Sequence, residues 1–236
     1  MTDGSFQSIV LLPGLDGTGT LFADLIAELP PNWEIVVARY ATDEFLTYEQ
    51  LLEQVRSILP PRPFILLAES FSTPLAVRIA AALPAEVVGA VLAAGFVTNP
   101  LGHRAPIARA LARPASFRIA PPTWVMKKFL IGERPPIGLA KRLRDAIRSV
   151  SPEVLARRVR AVLDCDESAS LARTRVPLLY LEGKRDRLVV PRCFEEIRRI
   201  RPDAQLEIID APHLVLRVQP RFAAERIVRF ANGWRA

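Results

Sequence analysis

Only two of the chain's residues are histidines, His103 and His213, so chemistry that needs an imidazole base near neutral pH has two candidates. His213 stands in Asp210-Ala211-Pro212-His213-Leu214, just after an apolar run. His103 sits beside Arg104 with no carboxylate near it in sequence. A lone histidine is usually structural, and what singles out His213 is its place at a strand end. Ser70 lies in Ala68-Glu69-Ser70-Phe71-Ser72, between a buried apolar run and a helical pattern. A serine nucleophile needs a sharp strand-to-helix turn with small residues two before and two after it, and Ala68 and Ser72 are small. The other reading makes Ser70 the N-cap of the following helix. Asp186, in Glu182-Gly183-Lys184-Arg185-Asp186-Arg187, follows another apolar run. It could orient a histidine, or pair on the surface with Lys184, Arg185 or Arg187. The loop Leu12-Pro13-Gly14-Leu15-Asp16-Gly17-Thr18-Gly19-Thr20 is glycine-rich but matches neither GxGxxG nor a P-loop. Such a loop can also turn backbone N–H groups toward a developing oxyanion.

The surrounding elements place all of these at strand ends. Ser8–Leu12, Glu34–Ala38, Phe64–Ala68, Val87–Ala93, Pro177–Leu181 and Gln205–Ile209 read as strands. The apolar runs of the first four do not alternate, as expected of parallel strands covered on both faces. Helical patterns fall between them: Leu21–Leu29, a helix from Thr47 to about Leu59 with Gln50 at the capping-box position, and Thr73–Ala82. Others are Pro191–Ile200 and Pro220–Ala231. The pattern breaks at Thr98-Asn99-Pro100. Residues 100–175 predict helices at about 122–131, 138–149 and 152–163 and no strand. The expected architecture is an α/β fold, an open and mostly parallel sheet flanked by helices. It forms one domain over 1–236, with 100–175 a small helical cap inserted in it. In such a sheet, sites form where loops leave the carboxyl ends of strands.

Composition excludes several classes. The chain of 236 residues is 50% hydrophobic and 24% charged, ordinary for a globular domain and unlike a disordered one. The longest apolar run, Val87–Val97, has 11 residues, against roughly 20 for a membrane-spanning helix. Met1–Phe6 shows no secretory signal. The two cysteines, Cys165 and Cys193, lack CxxC spacing and read as free thiols in a reducing cytoplasm. Asp164 and Asp166 would raise the pKa of Cys165 and make it a poor nucleophile. The net charge of +7 is uneven: −7 over 1–99, +10 over 100–175 and +4 over 176–236. No zinc-finger, helix-turn-helix or RNA-binding motif accompanies it, so no nucleic-acid partner is expected. The basic cap could instead attract an anionic substrate, an acyl carrier protein or a membrane surface.

Ser70, Asp186 and His213 occur in the chain order Ser…Asp…His, each just past a strand, and in this the sequence resembles the α/β-hydrolase superfamily. The loop Leu12–Gly19 together with Glu69-Ser70-Phe71-Ser72 is similar to that of small bacterial esterase-like hydrolases. A similar loop occurs in acyltransferases that make lipid esters. Pro13-Gly14 stands where many members have His-Gly, and the elbow has no glycine. The resemblance implies six strands in the order 2-1-3-4-5-6, without the family's N-terminal hairpin. It implies a catalytic triad of Ser70, Asp186 and His213, and an oxyanion hole from the backbone N–H groups of Leu15 and Phe71. The expected activity is hydrolysis of carboxylic esters, thioesters included, with no metal or organic cofactor. The alternatives are an acyltransferase with the same triad and a non-catalytic binding module. Ile107, Leu111, Phe117, Ile119, Trp124, Val125, Met126, Phe129, Leu130 and Ile131 would either line an acyl pocket or pack the cap onto the core.

Overall fold

The computed structural model describes residues 7–233; Met1–Phe6, read above for a secretory signal, lie outside them. Six strands form one sheet: β1 (Ser8–Leu12), β2 (Glu34–Val37), β3 (Phe64–Glu69), β4 (Val87–Ala93), β5 (Leu178–Gly183) and β6 (Gln205–Ile209). Every pairing is parallel and the order is β2-β1-β3-β4-β5-β6, as the resemblance implies. β3 and β5 run to Glu69 and Gly183, past their expected ends, and β2 stops one residue early.

The central strands carry no alternation in sequence because both faces are apolar, yet the side chains still divide by a period of two. Val10, Leu12, Leu66, Leu92 and Tyr180 lie in one core. Ile9, Leu11, Ile65, Leu67, Val91 and Leu179 lie in the other. The first core is covered by α2 (Tyr48–Arg56), α3 (Thr73–Ala82) and α10 (Arg192–Ile200) through Leu51, Val55, Leu75, Ile79, Phe194 and Ile197. The second is covered by α1 (Ala23–Ile26) and α12 (Pro220–Asn232) through Leu25, Ile227 and Phe230. Thr47 caps α2 in a complete capping box with Gln50. The helix expected over Leu21–Leu29 is shorter: a 3₁₀ turn at Thr20–Phe22 leads into α1. Beyond it the Glu28 and Leu29 N–H groups bond three residues back, to Leu25 and Ile26, so the chain tightens before Pro30 instead of continuing as α-helix.

Between β4 and β5 the chain is helical: α4 (Ala105–Leu111), α5 (Pro114–Phe117), α6 (Thr123–Met126), α7 (Leu139–Arg148), α8 (Pro152–Leu163) and α9 (Ser168–Arg173). A π turn over Lys127–Ile131 extends α6. The three helices expected here are present. α4 and α5 were not expected, because they bury no side chain and so show no apolar stripe; α9 is one short stretch around Leu171. Among the described residues no helix is long and apolar enough to cross a membrane.

Two local constraints tie the C-terminal edge of the sheet together. Glu69, the last residue of β3, is fully buried against Arg217 of α11 (Val215–Val218), whose guanidinium also lies 4.7 Å from the Phe22 ring centroid. Removing one member leaves a buried charge without its partner, which costs about 3–5 kcal/mol. Arg217→Met should therefore lower the unfolding free energy by about that amount, and Glu69→Leu in the same chain should recover most of the loss; chemical denaturation measures both. The second constraint is Gly183, which ends β5. A Cβ there would lie 2.6 Å from the Pro212 carbonyl oxygen, so only glycine lets β5 pass this close to the loop bearing His213. Gly183→Ala should cost about 1–3 kcal/mol, the usual cost of overpacking, seen as a lower melting temperature.

Candidate active site

Ser70 follows β3 directly and has φ 47°, a left-handed backbone that a non-glycine residue adopts at a cost of about 1–3 kcal/mol. The chain then makes a 3₁₀ turn, Ser70–Ser72, into α3. Ser70 does not act as a helix cap; its Oγ lies 3.0 Å from Nε2 of His213. Asp186 does not pair with its basic neighbours. Its Oδ2 lies 2.7 Å from His213 Nδ1, and its Oδ1 accepts the N–H groups of Leu188 at 2.8 Å and Val189 at 3.0 Å. With both carboxylate oxygens occupied, Asp186 is fixed and the imidazole face toward Ser70 follows. His213 is buried. Burial alone would pull its pKa down, but the charge and hydrogen bond of Asp186, with the charge of Glu69, hold it above the ordinary imidazole value. Such a line can move a hydroxyl proton onto an imidazole and stabilise the cation formed.

Small residues flank the turn as expected, and Ser72 has a use that glycine would not. Its hydroxyl donates to the Pro13 carbonyl and accepts from the Tyr40 hydroxyl at 2.7 Å. The Tyr48 hydroxyl donates to the Phe71 carbonyl at 2.8 Å. Serine in place of glycine therefore ties the elbow to the loop after β1. Within that loop the Gly17 N–H bonds the Gly14 carbonyl at 3.0 Å, closing a turn over Gly14–Gly17. Leu15 and Phe71 both line a cavity of about 580 Å³ that opens on Ser70 and His213.

That cavity is apolar away from Asp16, Glu69, Ser70, His213 and Ser116. Among the described residues no lysine or arginine lines it, so the basic balance of residues 100–175 does not face this space. Of the apolar residues named in that segment, Phe117, Ile119 and Leu130 line the cavity. Met126 and Ile131 pack with Leu139, Leu143 and Leu214, while Ile107, Leu111 and Trp124 are exposed. Leu155, Val159 and Val162 of α8 complete much of the wall. His103 is exposed in a 3₁₀ turn and takes no part. Cys165 and Cys193 are buried free thiols, each pushed up to about 12. For Cys165 burial is the main cause, ahead of Glu167 and Asp166, so the expected direction holds for a different reason.

Sequence reasoning missed Arg158. Its side chain is buried, donating to the carbonyls of Leu15 at 2.9 Å, Asp16 at 2.9 Å and Ala41 at 2.7 Å. A signal existed: Arg158 falls on the buried stripe of α8 with Val154 and Leu155, where an arginine must have partners. Arg217, four residues after His213 in an otherwise apolar stretch, carried the same signal.

Known proteins with similar sequences and folds place this architecture. The chain is 27% identical to the biotin biosynthesis bifunctional protein BioHC of Cellvibrio japonicus, over 89% of this chain and 42% of that one. It is 26% identical to polyketide synthase ThaQ of Burkholderia thailandensis, over 90% of this chain and 11% of that one. It thus spans less than half the length of these curated relatives. Its fold superposes on a thermophilic esterase from Thermogutta terrifontis with a TM-score of 0.79 and 19% identity, covering 98% of this chain and 91% of that one. The sequence model of the alpha/beta hydrolase family matches residues 9–226, and the chain belongs to that family.

Proposed function

We propose that this protein is a serine hydrolase of carboxylic esters, working through Ser70, His213 and Asp186, with residues 100–175 as a cap over the site. The observation that carries this reading is the unbroken line from Asp186 through His213 to Ser70, ending in an apolar cavity. Ser70 Oγ attacks the ester carbonyl carbon as its proton passes to His213 Nε2. The carbonyl oxygen, now an oxyanion, accepts hydrogen bonds from the N–H groups of Leu15 and Phe71. The imidazolium gives its proton to the departing alcohol and an acyl-enzyme remains. Water then attacks, losing its proton to His213, and the acid leaves with Ser70 restored. The cavity volume falls within the usual range for small-molecule sites. Its lining suits a substrate whose buried part is uncharged and apolar, which argues against an anionic group bound there.

A fluorophosphonate should form one adduct, mapped by mass spectrometry to Ser70, with labelling lost in Ser70→Ala and much slowed in His213→Ala. Labelling elsewhere, or none, contradicts the assignment. The acid limb of kcat/KM follows from the position of His213. Only neutral imidazole can accept the Ser70 proton, and its pKa is held high by Asp186 and Glu69. Activity on a neutral ester should therefore fall as pH drops, with a midpoint above about 6.5, the ordinary histidine value.

A further inference from the structure

We infer that Arg158 is a positioning residue that aims the Leu15 N–H at the reacting carbonyl, an inference that rests on the serine-hydrolase reading. In a trans peptide the carbonyl of one residue and the N–H of the next point opposite ways. The Gly14 carbonyl is turned inward to the Gly17 N–H, so the Leu15 N–H is turned out of that turn. The peptides that follow would be free to rotate without partners, and each has one. The Leu15 and Asp16 carbonyls are both held by Nη1 of Arg158, and the Gly17 carbonyl accepts the Tyr40 N–H at 2.8 Å. Four successive carbonyls, from Gly14 to Gly17, are thus fixed, two of them by one guanidinium.

The same guanidinium reaches the other half of the hole. Its Cζ lies 5.8 Å from the Phe71 ring centroid and 5.8 Å from that of Tyr40, within cation–π range. The fit is close: a Cβ on Gly17 would stand 2.6 Å from Nη1 of Arg158. Nor is Arg158 explained as half of an ion pair, since the hydrogen-bond acceptors of its guanidinium are three backbone carbonyls. Its helix, α8, also supplies Leu155, Val159 and Val162 to the cavity wall. One helix therefore touches both the space for the substrate and the loop that would stabilise its oxyanion.

The test compares wild type with Arg158→Lys and Arg158→Met on a short-chain nitrophenyl ester and on an alkyl boronic acid, which mimics the tetrahedral state on Ser70. Removing an oxyanion donor typically costs about 10²–10³ in kcat; a misaimed donor should cost roughly 10–100-fold. Arg158→Met should lose about that much kcat with KM changed less than about threefold, and boronate affinity should fall in step with kcat/KM. Arg158→Lys keeps the charge without the forked geometry and should fall between. If Arg158→Met does not fold, Arg158→Lys carries the same comparison at a temperature where circular dichroism shows it folded. Unchanged kcat and boronate affinity in a folded variant, or a change in KM alone, would overturn the inference. A wild-type protein that neither turns over esters nor binds the boronate would overturn the serine-hydrolase reading, and this inference with it.

Discussion

The contact between His213 Nε2 and Ser70 Oγ joins residues 143 positions apart across 3.0 Å, and most of the structure is organised around keeping it. Register does the long-range part. Parallel pairing sets Leu12 beside Ala68, Glu69 beside Ala93 and Gly183 beside Ile209, so the chain leaves five strands at nearly one level. Local constraint does the rest. The left-handed backbone of Ser70 lifts its hydroxyl off the strand, and the hydrogen bonds of Asp186 keep the imidazole from turning away. Strain of this kind persists only where surrounding contacts over-determine the geometry. Thr73 Oγ1, 2.8 Å from the Ser70 carbonyl and accepting the Phe96 N–H at 3.0 Å, is one such contact.

Beneath an apolar cavity the structure places a set of buried polar groups. Glu69 and Arg217 join β3 to α11 behind His213; Tyr40, Ser72 and Pro13 link the elbow to the first loop; Arg158 closes that loop from α8. Buried polar groups are costly unless satisfied; Glu69 pairs with Arg217, Tyr40 with Ser72, and Ser72 and Arg158 donate to the backbone carbonyls of Pro13, Leu15 and Asp16. Their effect is rigidity where a reacting carbonyl would sit. Apolar surface above them lowers the local dielectric and so strengthens the electrostatic interactions below.

The central strands were legible in the sequence because buried parallel strands are nearly unbroken apolar runs, and all six strands were found with ends shifted by at most a residue or two. The proximity of Ser70, Asp186 and His213 was legible too, through chain order and strand-end context together; for Ser70 and Asp186, spacing alone left a structural alternative open. Short helices such as α4 and α5 were not, since without a buried face they leave no periodic signal. Nor could apolar residues of the β4–β5 segment be sorted: Leu130 is half-buried and lines the cavity while Trp124 is exposed, a difference set by tertiary packing. The roles of Arg158 and Ser72 depend on contacts to carbonyls 143 and 59 residues away, respectively, which no local pattern encodes.

The central claim is that Ser70 is a nucleophile whose attack is met by two backbone donors. A crystal structure of the enzyme phosphonylated by a fluorophosphonate tests it most directly. The account predicts a covalent bond from Ser70 Oγ to phosphorus, with one phosphonyl oxygen within about 2.7–3.1 Å of both the Leu15 and Phe71 nitrogens and His213 still bonded to Asp186. An adduct whose oxygens avoid both nitrogens would contradict the account, as would phosphorus bound to any other residue.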